Sequence, residues 1–191
     1  MSNAVHKLQT ICVYCGSQPG HSPEFQTAAK IIGKSIAENG LNLVYGGGTR
    51  GIMGTVAESV LDHGGKVTGI IPRFLMEKEA SKESLKSLSE TIITQDMHER
   101  KHAMFDRADA FITLPGGIGT LEELVEIMTW AQLGRHDKPI VIANVSGFWK
   151  PLQELVTHMS DQGFIHTQHK VQPIIIDAPE DVIPRLLALK N

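Results

Sequence analysis

Residues 114–123 read LPGGIGTLEE and bring three glycines, a threonine and two carboxylates into one short stretch. Gly116, Gly117 and Gly119 let a backbone approach a ligand closely and reach positive φ where a turn needs it. Successive N–H groups there, with the start of the helix that follows, would form a nest for an anion, and phosphate is its natural guest. Thr120 can add a hydroxyl, and Glu122 and Glu123 then stand in the first helical turn. A second reading uses the same residues without a ligand. T-L-E-E has the spacing of a capping box, with Thr120 at N-cap and Glu123 at N3. A bound phosphate would compete with Glu123 for the orphan N–H groups, which turns that carboxylate toward the rest of the ligand.

Shortly upstream, MHERK (97–101) places Arg100 beside Lys101. Adjacent helical residues point about 100° apart, so the two cations can serve different partners, or both can be solvated surface charges. The overlapping HERKH (98–102) spells H-E-x-x-H, whose histidines could share a zinc ion from one helical face, but no third ligand is evident. Cys12 and Cys15 form C-x-x-C inside an apolar run rather than at a helix start, which favours buried, inert thiols over a redox or metal pair. GGGTRG (46–51) matches G-x-G-x-x-G, yet the next strand ends TGIIPR (68–73) without the acid that holds a ribose. A glycine loop lining a nucleotide site is the stronger reading than a dinucleotide fingerprint. His21, His63, His136 and His166 are scattered and read as surface or packing residues.

These residues must be positioned by something, and the pattern between them supplies it. Apolar runs at 11–16, 41–47, 66–71, 91–94, 110–117, 139–144 and 173–177 are mostly continuous, as in parallel strands buried on both faces. Amphipathic segments at 23–40, 51–65, 97–108 and 120–134 alternate with them. The alternation predicts an α/β fold, a Rossmann-like doubly wound parallel sheet flanked by helices on both faces. Residues 1–191 read as a single nucleotide-binding domain, with no linker or repeat. Three runs end in glycine loops, at 14–20, 45–54 and 114–120, so all should line one edge of the sheet. A net charge of -3 and no basic run argue against nucleic acid or a membrane surface as partner. No stretch reaches the roughly 18 apolar residues of a membrane span, and the N-terminus lacks a signal-peptide pattern, so a cytoplasmic location is expected.

Taken together, MHERK, PGGIGTLEE, the upstream YGGGTRGIMG and the downstream TWAQLG resemble the LOG family, the "lonely guy" cytokinin-activating enzymes, over nearly the whole chain. The resemblance implies a homodimer that hydrolyses the N-glycosidic bond of nucleoside 5'-monophosphates, cytokinin riboside monophosphates or AMP, to free base and ribose 5-phosphate. It implies Arg100 and Glu123 as catalytic residues. It places phosphate and ribose contacts on Lys101, Gly117, Ile118, Gly119, Thr120, Leu121, Glu122 and Glu123, and further substrate contacts on Arg100 and Thr129. A pocket glutamate falls on Glu79, with Glu77 as rival, while SKESLKSLSE (81–90) is less recognisable and leaves base preference open.

The chemistry agrees with that set. Breaking a ribosyl C–N bond gives an oxocarbenium-like carbon and drives charge onto the base. A fixed carboxylate, a cation near the leaving group and a remote phosphate anchor would assist, and no metal or organic cofactor is needed. Two rivals use the same residues. A nucleotide or molybdenum-cofactor carrier would need the glycine loop alone. A pyridoxal phosphate-dependent lysine decarboxylase, a label such sequences have carried, would need a Schiff-base lysine, for which only Lys101 could be nominated.

Overall fold

The computed structural model describes residues 8–165 and 173–189, so His166 lies outside the described residues. Strands β1 (Thr10–Tyr14), β2 (Asn42–Tyr45), β3 (Lys66–Pro72), β4 (Glu90–Thr94), β5 (Ala110–Thr113), β6 (Ile140–Ala143) and β7 (Ile174–Ile176) form one sheet in the order β4-β3-β2-β1-β5-β6-β7. Every pairing is parallel; Cys12, for example, sits between Val44 of β2 and Phe111 of β5. The expected doubly wound α/β architecture is present. The central strands are buried on both faces, whereas β4 and β7, at the two edges, keep exposed positions such as Ile93 and Ile175.

Helices cover both faces. Helices α1 (Pro23–Glu38), α2 (Gly51–Asp62) and α8 (Val182–Ala188) close one core, through residues such as Ile32, Val56 and Leu186. Helices α5 (Met97–Arg107) and α6 (Ile118–Gln132) close the other, where Met104, Leu124 and Ile127 meet Tyr14 and Phe111. Helix α7 (Lys150–Asp161) lies beside α6 and has no buried residue, although Trp149 just before it is buried. Between β3 and β4 the chain makes a 3-10 turn and two short helices, α3 (Met76–Glu79) and α4 (Lys82–Lys86).

Cys12 and Cys15 project into opposite cores, and both are free and buried. Three residues apart on an extended strand end, they cannot face one another.

Because the strand order reverses between β1 and β5, the chain leaves β1 for one face and β5 for the other. A crevice must open between the departing loops, outside the carboxyl ends of the strands. The three glycine loops meet there. Gly16 N–H donates to Pro115 O at 3.1 Å, and Met53 N–H donates to Gly16 O at 3.1 Å. Gly51, with φ +59°, packs directly on the Ser17–Gln18 backbone, where a Cβ has no room.

Candidate active site

Helix α6 starts at Ile118, three residues earlier than the capping-box reading requires. Its N-cap is Gly117, which offers no side-chain cap, and the first intrahelical bond runs from Leu121 N–H to Gly117 O at 3.0 Å. The N–H groups of Ile118, Gly119 and Thr120 have no partner among the described residues. Thr120 is buried within the first turn, with its hydroxyl tucked beneath Gly116, so it does not cap the helix with Glu123. Gly117 and Gly119 face open space, since a Cβ at either would meet nothing within 4 Å. Among the described residues nothing fills the mouth of this nest, and Ile118 at its rim is 82% exposed.

A side-chain cap stands instead one helix upstream. Asp96 caps α5 by accepting from Glu99 N–H at 2.8 Å, and Glu99 accepts from Gln95 N–H at 2.6 Å. His102 pairs with Asp106 at 3.2 Å. Two members of the H-E-x-x-H pattern thus have local roles at an exposed helix start, and among the described residues no group of three or more ligating side chains is suited to a metal.

That cap orients α5 so that Arg100 points inward and Lys101 sideways. Arg100 is only 4% exposed. Its Nε donates to Ile70 O at 3.1 Å and its Nη2 to Gly46 O at 2.7 Å, so the carbonyls at the ends of β3 and β2 hold the guanidinium. Nη1 lies 3.7 Å from Met97 Sδ. No carboxylate lies within ion-pair distance of Arg100 among the described residues. A buried cation held by neutral dipoles has capacity left for an anionic partner.

Lys101 differs. Its Nζ is held between Glu122 Oε1 at 2.6 Å and Glu126 Oε2 at 2.8 Å. Burial pulls its pKa down, but the bonds to Glu122 and Glu126 outweigh that and leave it raised. Glu126 was not evident as a functional position in the sequence; its signal is the i, i+4 spacing from Glu122 on one stripe of α6.

Glu123 is half-buried, one turn into α6, and makes no side-chain hydrogen bond among the described residues. Burial pushes its pKa from 4.5 up to about 7, opposed by Arg100 and Lys101 and reinforced by Glu122 and Glu79. The residues that act on this carboxyl are therefore those the sequence singled out. Glu79 belongs to the cluster, with one carboxylate oxygen, Oε2, buried and unpartnered, whereas Glu77 is exposed. The Glu79 backbone is tied to the YGGGT loop, since Thr49 N–H donates to Glu79 O at 2.8 Å.

Thr129 is not brought to Glu123 within one chain. It is exposed, its hydroxyl donates to Val125 O at 2.8 Å, and it lines a groove of about 630 Å³ between α6 and α7. Leu121 joins the wall of the same groove. A smaller cavity of about 230 Å³ opens between the 16–20 and 115–117 loops, walled also by Phe25, Ile52 and Phe148.

A family model described as "Possible lysine decarboxylase" matches residues 53–186. A rice (Oryza sativa subsp. japonica) protein, cytokinin riboside 5'-monophosphate phosphoribohydrolase LOG, is 47% identical over 173 residues, covering 91% of this chain and 69% of its own. The chain belongs to the LOG family. An Arabidopsis thaliana protein, cytokinin riboside 5'-monophosphate phosphoribohydrolase LOG7, is 44% identical over 180 residues, covering 94% and 80% of the two chains. Solved structures share the fold at greater distance. The molybdenum cofactor binding protein of Rippkaea orientalis aligns with a TM-score of 0.70 at 21% identity, over 97% of this chain and 99% of that one. A Moco carrier protein of Chlamydomonas reinhardtii aligns at 0.69 and 19% identity, over 96% and 99%. The LOG relatives exceed these in identity more than twofold, so the carriers bear on architecture alone. Among the described residues no helix is long and apolar enough to cross a membrane.

Proposed function

We propose that this LOG-family protein hydrolyses the N-glycosidic bond of nucleoside 5'-monophosphates, AMP or its isoprenylated counterparts, to free base and ribose 5-phosphate. The observation that carries this reading is the joint placement of an unpaired carboxyl, Glu123, and a buried cation, Arg100, beside an open N–H nest. A carrier needs only the nest; the other two are groups for breaking a bond. In this reading the N–H groups of 118–120 anchor the phosphate, remote from the reacting carbon, and fix the ribose near Glu123.

The glycosidic electron pair leaves with the base nitrogen, and a water oxygen bonds to the anomeric carbon. The Glu123 carboxylate stabilises the oxocarbenium-like carbon and takes the proton that the water loses. The departing base takes up one proton, so the sum is nucleotide plus water giving base plus sugar phosphate. Arg100 stays charged and compensates the negative charge growing on the base or its surroundings. The buried Oε2 of Glu79 is an acceptor suited to an amino group on the base. Lys101, already held by Glu122 and Glu126, steadies α5 against α6, and any contact it makes to phosphate would compete with those carboxylates. The same pairing weakens the decarboxylase reading, because a Schiff base needs a neutral amine and Lys101 is held as an ammonium.

The carboxyl environment sets a pH dependence. With its pKa at about 7, Glu123 ionises only as pH rises through neutrality, so kcat/KM should climb from pH 5 to a plateau above about 8. A profile flat from pH 5 to 8 would remove the carboxylate from the rate-determining chemistry.

The groove between α6 and α7 supports a homodimer. Val125, Leu155 and Met159 on its walls are 44%, 49% and 40% exposed, and Phe164 beyond α7 is 80% exposed. Apolar surface of this extent is the kind a second copy covers. Thr129 and Leu121 would then belong to a boundary between protomers. Leu155→Glu is expected to shift the mass measured by light scattering from two chains to one; a wild-type monomer would contradict the dimer. The direct test of the activity is release of free base from AMP by the purified protein.

A further inference from the structure

We infer that Gly46 is a positioning residue for this reaction: the missing side chain at 46 makes the seat of the Arg100 guanidinium. The first glycine of YGGGTRG thereby serves a cation of the protein, where the sequence alone reads as a glycine loop lining a nucleotide site. This rests on the proposed role of Arg100. Gly46 is buried, immediately beyond β2. Its backbone is not left-handed, unlike Gly47 at φ +76° and Gly51 at φ +59°, so conformation does not demand glycine there. Space does. A Cβ at 46 would overlap Nη2 of Arg100, lie 3.0 Å from its Cζ and 3.4 Å from Met53 Sδ. The same residue's carbonyl accepts the 2.7 Å bond from Nη2. Residue 46 both grips the guanidinium and gives it room, while Ile70 O fixes Nε on the neighbouring strand. With a methyl at 46, the flexible end of Arg100 must give way rather than the strand, and both carbonyls then lose their donors.

The test is a double-mutant cycle on wild type, Gly46→Ala, Arg100→Ala and the double variant, reading the thermal midpoint and the steady-state constants with AMP. Gly46→Ala is expected to lower kcat about 100-fold or more, as loss of a transition-state donor does, with KM changed less than tenfold. It is also expected to lower the midpoint in the wild-type background but not in Arg100→Ala, where the seat is empty. A Gly46→Ala protein that fails to fold while the double variant folds gives the same answer. Equal losses in both backgrounds, failure of both variants to fold, or wild-type kcat in Gly46→Ala would overturn the inference. Should the wild type leave AMP intact, the proposed activity fails, while the midpoint cycle still reports on the seat.

Discussion

Glu123→Gln should lose about 1,000-fold or more in kcat while the protein still binds AMP. Glutamine keeps the shape of the side chain and removes both its charge and its capacity to take a proton. In the proposed reaction those two properties stabilise the oxocarbenium-like carbon and activate water, so the loss falls on turnover. Binding should hold or tighten slightly, because the variant no longer sets a negative charge beside the phosphate nest. A second readout separates this from a structural role. The folded-state pKa of about 7 lies above the ordinary 4.5, so the contribution of this carboxyl to stability is fully present below pH 4.5 and is lost as pH rises through 7. Glu123→Gln should abolish that part of the decline. Turnover near wild type would return Glu123 to the surface of an ordinary helix.

Arg100→Ala carries the second large effect. Removing the cation should lower kcat about 100- to 1,000-fold. It should also move the acid limb of the pH profile, and the sign is fixed. Arg100 holds the Glu123 pKa down against the effect of burial, so without it the pKa rises further and the limb shifts to higher pH. Arg100→Lys should not restore activity, since an ammonium cannot reproduce the fork that reaches Ile70 O and Gly46 O together. An unchanged limb in Arg100→Ala would separate the two residues.

Much of this arrangement was legible in the sequence, for identifiable reasons. The buried parallel strands β1, β2, β5 and β6 are unbroken apolar runs, and α1 announces itself by Ser22-Pro23 at its start and Gly40 at its end. The three glycine loops fell on one edge because strand-helix alternation forces them there. The start of α6 was not legible. T-L-E-E offers a capping box, but Gly117 takes the N-cap and Thr120 is drawn under Gly116. A preference of local spacing lost to the packing of two glycine loops. The observed side-chain cap, Asp96 with Glu99, overlaps a pattern that reads as a zinc motif. Helix α7 carries an apolar stripe at helical spacing, Leu152, Leu155, Val156 and Met159, that sequence reasoning passed over, and α8 has only seven residues in which to show one. Nor does spacing reveal that Lys101 is shared by Glu122 and Glu126, or that Gly46 faces Arg100 across 54 positions of sequence. Such contacts exist only once the sheet is assembled.

The most direct measurement is a product balance: purified protein incubated with AMP and, separately, with isoprenylated AMP, with free base and ribose 5-phosphate quantified together. The account predicts that both products appear in equal amounts and accumulate over many turnovers with at least one of the two nucleotides. Nucleotide bound stoichiometrically and recovered intact would contradict it, and would leave the open nest of α6 as the site of a carrier.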